Sequence, residues 1–392
     1  MRMVEPKRMS DVAETVADAI ADASSLIFIA EGAANIVYKI RDHKQSRYLL
    51  RLRKKLPSQP SAVDVYGFYT DHILPLFPPH SVASMRLVKV DPAVLRQLNM
   101  ELDVLEREGV RDQKRRGTEL DTSESYGILV ENMTAESIRS DLPLKFSGRE
   151  EVLGTSGLLS YAVREDRGKK LEVAVLDFKP KWLTQSRDAP QNWRYCRTCA
   201  LRRYRAKDKP EYGFCPFDLV SGSRQRVEKS VRALLPKQLD ITSGMVLTLE
   251  RVRTIVTEFI MHTDVFRALA QIQRNMDKHG VMDASHSEEP MNFLTAMTVR
   301  DCTAFVRIIY SEFDEITAAE VQETNTGDVH GSDGSSTYIE VDGYVFAVSC
   351  RLADLDIKDG NGNKHAYWRS IEESLNEGGW YTSADALIVP CR

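Results

Sequence analysis

Carboxylate side chains stand beside two apolar, strand-like runs in the last quarter of the chain. Asp301 precedes the first run, so it should lie at a strand edge, where a carboxylate can serve as general base toward a bound hydroxyl. Asp354, Asp356 and Lys358 alternate after the second run, and alternation on a continuing strand would put all three on one face. Paired carboxylates suit a hard cation such as Mg²⁺. The alternative is a solvated edge strand with a charged face.

A turn of small residues lies between two strand-like runs near the start of the chain. It comprises Gly32, Ala33, Ala34 and Asn35, and the basic residue Arg51 lies on the next predicted strand. Small residues let backbone N–H groups approach phosphate oxygens, which a strand-borne cation can neutralise. The N-terminal lobes of kinases hold ATP in this way. A turn with one glycine between two strands is also common without any ligand.

A strongly basic segment follows an apolar strand predicted at residues 171–178. From Lys179 to Lys209 the chain has ten basic and two acidic residues, a net charge of +8 within 31 residues. Guanidinium and ammonium groups concentrated in this way favour phosphate ligands. The alternative, a solubilising charge run, usually mixes both signs.

Three cysteines within residues 179–224 have the spacing of a structural zinc site. Cys196 and Cys199 form a C-x-x-C pair, and Cys215 follows on the same segment. These thiols supply three of the four ligands that such a site needs. A distant histidine, such as His262 or His279, is one source of the fourth ligand. The alternative is that the thiols are simply reduced.

The amino-acid composition limits the classes of protein to which this chain could belong. The chain has 392 residues, of which 42% are hydrophobic and 28% charged, as expected for two or more folded lobes. Its net charge of -4 argues against a surface that binds nucleic acid throughout, so no specific nucleic-acid partner is expected. No apolar run approaches the roughly 20 residues of a membrane helix. Six scattered or clustered cysteines and no secretory signal favour an intracellular location.

Two predicted lobes would position these residues in an α+β fold. Residues 1–135 form the first lobe, with an opening amphipathic helix, an antiparallel meander and a last strand; the strands are predicted at 25–30, 36–41, 48–53 and 126–133. Residues 136–392 form the second lobe, which contains the basic segment, a mainly helical region at 224–282, an exposed loop at 320–337, and further strand-like runs; these lie at 171–178, 305–310 and 338–351.

Six motifs, in order along the chain, together resemble the inositol-pentakisphosphate 2-kinase family in its fungal type. They are Glu31-Gly-Ala-Ala-Asn-Ile-Val37, Leu50-Arg-Leu-Arg-Lys54, Leu176-Asp-Phe-Lys-Pro-Lys181, Phe214-Cys-Pro-Phe-Asp-Leu-Val-Ser-Gly222, Met297-Thr-Val-Arg-Asp-Cys302 and Asp354-Leu-Asp-Ile-Lys358. The Lys-Pro-Lys, Pro-x-Asp-Leu-x-Ser-Gly and Arg-Asp-Cys motifs are the specific ones. The glycine turn alone would decide nothing.

The resemblance implies a two-lobed, protein-kinase-like fold with an enlarged C-terminal lobe for inositol phosphate. Its implied activity is transfer of the ATP γ-phosphate, with Mg²⁺, to the 2-hydroxyl of inositol 1,3,4,5,6-pentakisphosphate, giving inositol hexakisphosphate (phytate). We also expect a monomer, located in the nucleus or the cytoplasm. Two alternatives stay open: another kinase-like enzyme acting on a phosphorylated small molecule, and a non-catalytic, zinc-bearing module that binds polyanions.

The resemblance also implies roles for single residues. Asp301 would be the catalytic base, Asp354 a Mg²⁺ ligand, and Asp356 a second one. The nucleotide would contact the turn, the facing strands and a hinge at residues 130–133, through Gly32, Ala33, Ala34, Asn35, Val37, Arg51, Glu131, Met133 and Asp177. The inositol phosphate would contact Lys179, Lys181, Lys358, Tyr367 and Arg116, with Arg115 as the alternative to Arg116. An Asn-Asn pair that contacts substrate in the family has no counterpart here.

Overall fold

The computed structural model describes most of the chain. The described residues are 20, 22–41, 48–57, 59–134, 150–156, 159–166, 168–206, 213–236, 244–283, 290–313, 336–358, 363–383 and 390–391. Most of the predicted opening helix, most of the predicted loop at 320–337, and residues 207–212 of the basic segment lie outside them.

An antiparallel sheet of five strands, in the spatial order β1-β2-β3-β5-β4, forms the first part of the fold. Its strands are β1 (Leu26–Glu31), β2 (Asn35–Ile40), β3 (Tyr48–Arg53), β4 (Met85–Lys89) and β5 (Tyr126–Glu131). Helices α1 (Ala62–Phe68) and α2 (Pro92–Arg107) accompany it. Alternate residues of the strands, including Tyr38 and Leu50, pack with Leu98 of α2 in one core. The predicted meander is confirmed to within one residue at each strand end.

A second antiparallel sheet has six strands in the order β10-β11-β9-β8-β7-β6. Its strands are β6 (Glu150–Ser156), β7 (Leu159–Asp166), β8 (Lys169–Phe178), β9 (Thr303–Ser311), β10 (Thr337–Val341) and β11 (Tyr344–Ala353). The single run predicted at residues 338–351 is a hairpin, because Asp342 and Gly343 both adopt positive φ angles, 53° and 78°. An Asp-Gly pair is a preferred two-residue hairpin turn.

Seven helices of the described residues accompany the second sheet. They are α3 (Arg197–Ala206), α4 (Pro216–Leu219), α5 (Arg224–Leu234), α6 (Leu249–His262), α7 (Val265–Met276), α8 (Pro290–Val299) and α9 (Asn363–Glu377). The mainly helical region predicted at 224–282 is therefore confirmed. Phe178, the last residue of β8, stacks with Phe266 of α7 at a centroid distance of 5.8 Å.

The described residues divide into two compact units. Those up to Phe68 and Ser84–Asn132 belong to the first, and Tyr69–Ala83 with those from Met133 onward belong to the second. The predicted combination of helices with antiparallel sheets is confirmed. None of the helices among the described residues is long and apolar enough to cross a membrane.

Candidate active site

One edge of the second sheet gathers the charged residues that the sequence singled out. Strands β8, β9 and β11 are neighbours, and their register pairs Phe178 with Ala304 and Ala353 with Thr303. Because the strands are antiparallel, residues that follow β8, precede β9 and follow β11 meet at the same edge. Lys179, Asp301 and Asp354 occupy those three positions. Residues up to 175 positions apart in sequence thus become neighbours.

Five of these side chains form a charge cluster, made of Lys179, Lys181, Lys358, Asp301 and Asp354. The Lys179 Nζ lies 2.8 Å from Asp354 Oδ2 and 3.3 Å from Asp301 Oδ2. Lys181 Nζ lies 2.9 Å from Asp301 Oδ1, and Lys358 Nζ lies 3.4 Å from Asp301 Oδ2. Three cations thus share two carboxylates, which leaves a surplus positive charge.

The charge cluster is half-open to solvent. The side chains of Asp301 and Asp354 are 42% and 39% exposed, and those of Lys179 and Lys181 are 35% and 40% exposed. These groups are therefore accessible to a ligand. An anion with several phosphates could replace the carboxylates as partner of the lysines.

The lysines control the ionisation of Asp301. Partial burial raises the pKa of this carboxyl, but Lys358, Lys181 and Lys179 outweigh that effect and hold the pKa at about 2. Burial also lowers the pKa of Lys179, and the carboxylates of Asp354 and Asp301 reverse this, so that its pKa is raised. The charged forms of Asp301 and Lys179 are therefore each stabilised by the opposite charges beside them.

Two members of the charge cluster have left-handed backbone. The φ angle is 61° at Lys181 and 57° at Asp354, a region that favours glycine, is tolerated by Asn and Asp, and is rarely adopted by lysine. Such conformations cost on the order of 1–3 kcal/mol and persist where the surroundings impose them. At Lys181 the support is visible, since the buried Gln273 amide donates to Lys181 O at 2.8 Å and accepts from Leu183 N at 2.8 Å.

Asp356 does not lie on one strand face with Asp354, so that prediction was wrong. Strand β11 ends at Ala353, and the left-handed Asp354 breaks the alternation. Asp356 is only 8% exposed, and its carbonyl accepts a hydrogen bond from Thr298 Oγ1 at 3.3 Å. Of the two carboxylates, that of Asp354 is the more exposed.

Three arginines of the basic segment make contacts within the protein. Arg197 is buried and pairs with Glu372 at 2.8 Å. Arg203 is also buried and donates to Trp380 O at 2.7 Å. Arg202 Nη2 donates to the backbone carbonyl of Phe214 at 2.9 Å. In the structure these three guanidinium groups bind carboxylate or backbone oxygens.

Tyr367 and Arg116, the other two residues predicted to contact the inositol phosphate, lie apart from the charge cluster in sequence. Tyr367, on α9, is 52% exposed, and its hydroxyl accepts a hydrogen bond from Arg205 at 3.0 Å. Arg116 is exposed in the first unit, directly after the short helical turn Gln113–Arg115. Both side chains are accessible to solvent, as a substrate contact requires.

Three of the predicted nucleotide residues of the first unit, Asn35, Val37 and Arg51, share one sheet face. Arg51 pairs across the ladder with Val37 on β2 and with Ile128 on β5, on the face opposite to the α2 core. Arg53 shares this face and donates to Asn35 Oδ1 at 3.1 Å. The sequence argument named Arg51 but missed Arg53, although both occur in the same alternating motif. This basic face adjoins the small-residue turn.

The turn itself is closed by backbone hydrogen bonds. Gly32 N donates to Asn35 O at 2.8 Å, and Lys54 N donates to Ala34 O at 3.0 Å. Gly32 and Ala33 are exposed, while Ala34 and Asn35 are partly buried. The turn thus presents a small-residue surface next to the Arg51 face, as its composition predicts.

Three more predicted nucleotide residues lie at strand ends. Asp177 pairs with Phe305 near the end of β8, and partial burial raises the pKa of its carboxyl. Glu131, the last residue of β5, is 9% exposed and accepts a hydrogen bond from Ser84 N at 3.2 Å. Met133 is buried. Glu131 and Met133 belong to different units by their contacts.

The cysteines of the basic segment come together with a fourth cysteine. Cys196, Cys199, Cys215 and Cys391 place their Sγ atoms within 4.8 Å of one another. The expectation that His262 or His279 completes this set is wrong. His262 contacts the carbonyl of Glu258, and the position is taken by Cys391, 176 residues beyond Cys215.

Comparison with known proteins gives a consistent set of similarities. The family model described as inositol-pentakisphosphate 2-kinase matches residues 28–374. An inositol-pentakisphosphate 2-kinase of Yarrowia lipolytica is 27% identical over 358 residues, which cover 90% of this chain and 91% of the relative. One of Debaryomyces hansenii is 24% identical over 384 residues, which cover 89% and 90%. The family match includes all six motifs and the charge cluster.

Proposed function

The chain belongs to the inositol-pentakisphosphate 2-kinase family, and from this premise we propose that it transfers the γ-phosphate of ATP to the 2-hydroxyl of inositol 1,3,4,5,6-pentakisphosphate. The product would be inositol hexakisphosphate. The observation that carries the proposal is the charge cluster, in which Lys179, Lys181 and Lys358 surround Asp301 at an open sheet edge. A polyphosphate acceptor needs several cations beside the group that handles its hydroxyl.

Acceptor binding would exchange the partners of the lysines. Without ligand, the three ammonium groups are held by the carboxylates of Asp301 and Asp354. Phosphate groups carry more charge than a carboxylate and offer more acceptor oxygens, so they would draw the lysines to themselves. The acceptor would then be oriented by three cations around its ring.

This exchange would prepare Asp301 for its chemical role. The lysines hold the pKa of the carboxyl at about 2, which makes it a weak base without substrate. Once phosphates share the positive charge, the pKa of Asp301 should rise. The 2-hydroxyl oxygen would then attack the γ-phosphorus, the bond to the β-γ bridging oxygen would break, and ADP would leave. Asp301 would orient the hydroxyl and accept its proton.

The nucleotide would be bound by the residues of the first unit, and the role of Asp177 stays a prediction from the sequence. The small-residue turn at 32–35 and the Arg51 face would contact the phosphates, and residues 130–133 would contact adenine. The proposal includes a two-lobed, kinase-like architecture with lobes at residues 1–135 and 136–392. An intracellular location, in the nucleus or the cytoplasm, and a monomeric state stay predictions from the sequence.

Mg²⁺ would be held by Asp354, with Asp356 as a second contributor. The donor chemistry fits, because the Asp354 carboxylate is a hard oxygen ligand in a half-exposed position. When bound, the ion would neutralise charge on the transferring phosphate. Lys179, whose Nζ lies 2.8 Å from Asp354 Oδ2, would add a second positive charge near the residue that holds the ion.

The product assay tests the proposal directly. The chain is supplied with magnesium-ATP and each inositol pentakisphosphate isomer, and hexakisphosphate should form only from the isomer that lacks the 2-phosphate. Asp301→Asn should lower kcat by ~10²–10⁴-fold. Asp342→Asn is the matched control, because this aspartate is exposed on the β10–β11 hairpin. Full activity of Asp301→Asn, or no product from any isomer, would overturn the proposal.

A further inference from the structure

Helix α9 contains a buried carboxylate, that of Glu372, which the proposed chemistry does not use. Its side chain is fully buried, and its Oε2 accepts a hydrogen bond from Arg197 Nε of α3 at 2.8 Å. The hydroxyl of Tyr381 donates to the other carboxylate oxygen. Removing one partner of a buried ion pair is strongly destabilising, because it leaves an uncompensated charge. Glu372 therefore fixes the position of the Arg197 guanidinium.

The guanidinium of Arg197 lies over the indole ring of Trp182. Its Cζ is 4.2 Å from the ring centroid, and both residues are only 5% exposed. The guanidinium of Arg300 lies over the same ring. The face of an indole attracts a cation, and the attraction grows when both groups are removed from water. Two arginines, each held by a buried carboxylate, therefore set the orientation of the Trp182 ring.

Residues 182–188, which follow Lys181 of the charge cluster, are bound to the same two helices. Gln185 Oε1 accepts a hydrogen bond from Arg197 N, at the start of α3, at 3.0 Å. Asn376 Nδ2 of α9 donates to Asp188 O at 3.2 Å. Because the chain beyond Trp182 is fastened in this way, a shift of the indole ring must be transmitted to the backbone of Lys181.

Helix α9 also carries Tyr367, the aromatic residue predicted to contact the inositol phosphate. Tyr367 is 52% exposed, whereas Glu372 on the same helix is buried. Trp368, the next residue along the chain, packs against the apolar cluster that contains Trp182. Helix α9 thus contacts the surroundings of Trp182 through an aromatic ring and through the Glu372–Arg197 pair. The two predicted acceptor residues Lys181 and Tyr367 are both tied to one buried indole.

We propose that Glu372, Arg197 and Trp182 are positioning residues that hold Lys181 and Tyr367 at a fixed spacing for the acceptor. The inference rests on the proposed function, because that function assigns Lys181 and Tyr367 to the inositol phosphate. The three positioning residues are buried, so they act through these two side chains and not by touching the substrate. Groups that are fixed before binding need not be ordered when the ligand arrives. Loss of the stack should therefore weaken acceptor binding and leave nucleotide binding unchanged.

A graded series at Trp182 in the full chain tests the stack. Phenylalanine keeps an aromatic face that binds cations less well than indole, and leucine has none. The KM for the acceptor should rise by about 3-fold in Trp182→Phe and by ~10-fold or more in Trp182→Leu, while the KM for ATP stays within about 2-fold of wild type. Trp193→Leu is the matched control, because its ring packs edge-on against Phe217, and it should keep both KM values.

Glu372→Gln tests the other end of the stack, and amide hydrogen exchange gives a readout that needs no turnover. The variant should raise the KM for the acceptor and speed exchange in residues 182–188 at a temperature at which it stays folded. If it does not fold, the graded Trp182 series still decides. A wild-type chain that makes no hexakisphosphate would overturn the proposed function, and exchange would then decide the positioning role by itself. A lower melting temperature with wild-type KM for the acceptor, or wild-type exchange in residues 182–188, would overturn the inference.

Discussion

The indole ring of Trp182 lies against the guanidinium of Arg300, whose Cζ is 3.6 Å from the ring centroid. Both side chains are buried. Trp182 directly follows Lys181, and Arg300 directly precedes Asp301, so the stack joins the two backbones that present this ion pair. Arg300 Nη1 also contacts Asp277 at 2.6 Å, which fixes the guanidinium from the other end. The spacing of Lys181 and Asp301 therefore depends on a buried contact beside them.

Replacement of Arg300 tests this dependence. Arg300→Lys keeps a positive charge for Asp277 but loses the planar face that stacks on Trp182. We expect kcat to fall by about 10-fold or more, since displacement of a catalytic group by about 1 Å can cost ~100-fold. The KM for ATP should change less, because the nucleotide contacts lie elsewhere. Arg267→Lys, on an exposed part of α7, is the control. A lower melting temperature with unchanged kcat would contradict the positioning role.

Gln273 offers a second test through the backbone of Lys181. Its amide bridges Lys181 O and Leu183 N, and Gln273→Met would leave both groups unpaired in a buried site. Each unsatisfied group costs about 1–3 kcal/mol, so the loss of both should lower the free energy of unfolding by ~2–6 kcal/mol. The left-handed Lys181 should relax, which would raise the KM for the acceptor. Urea unfolding and steady-state kinetics measure both effects.

Gln97→Met provides the matched control for this change. Gln97 is exposed on α2, so the same substitution removes no buried hydrogen bond there. The control should alter the free energy of unfolding by less than about 0.5 kcal/mol. If Gln273→Met is destabilised but keeps the wild-type KM for the acceptor, then the amide supports folding without positioning Lys181.

The two aspartates assigned to Mg²⁺ should behave differently. Asp354→Asn preserves the left-handed backbone, because asparagine tolerates positive φ, and removes one charged oxygen ligand. We expect the Mg²⁺ concentration for half-maximal activity to rise by about 10-fold. Asp356→Asn changes a buried residue and should chiefly lower the melting temperature. The reverse pattern in a Mg²⁺ titration would show that Asp356 is the principal ligand.

Local patterns in the sequence were sufficient to predict the first sheet. Alternating apolar residues at 36–40 and 48–52 mark strands whose one face packs on a helix, and this period does not depend on distant contacts. The end of β11 could not be predicted in the same way. Continued alternation through Asp356 resembles a strand, whereas the left-handed Asp354, whose carboxylate contacts Lys179, follows directly after the end of β11.

The site was predictable in its residue types but not in its connections. Lys179, Lys181, Asp301 and Lys358 were identified from motifs, and the structure brings them together. The role of Gln273 depends on helix packing, which leaves no signal in a single sequence. Cys391 was missed because nothing local links one cysteine to a C-x-x-C pair almost two hundred residues earlier. Several arginines of the basic segment make contacts within the protein, and composition alone could not distinguish them from arginines that bind a ligand.

Beneath the small-residue turn, Glu31 holds two buried cations. Its carboxylate contacts Lys54 Nζ and Arg111 Nη2, the latter at 2.7 Å, and all three side chains are at most 5% exposed. Thr118 Oγ1 donates to the same carboxylate at 2.9 Å. Burial raises the pKa of Glu31, but Arg111, Lys54 and Thr118 outweigh it and lower the pKa to about 2. This network closes the start of the turn, since Gly32 follows Glu31 directly.

The depressed pKa of Glu31 gives a stability prediction of definite sign. Because the unfolded glutamate has a pKa of about 4.3, the stabilisation is fully present above that pH and is lost as the pH falls toward 2. Glu31→Gln should lose ~3–5 kcal/mol at neutral pH, since Lys54 stays buried without its anion, and its unfolding free energy should fall less steeply between about pH 4.3 and 2. Urea unfolding at several pH values measures this slope. The exposed Glu108→Gln should keep the wild-type slope, and equal slopes for wild type and Glu31→Gln would contradict the assignment.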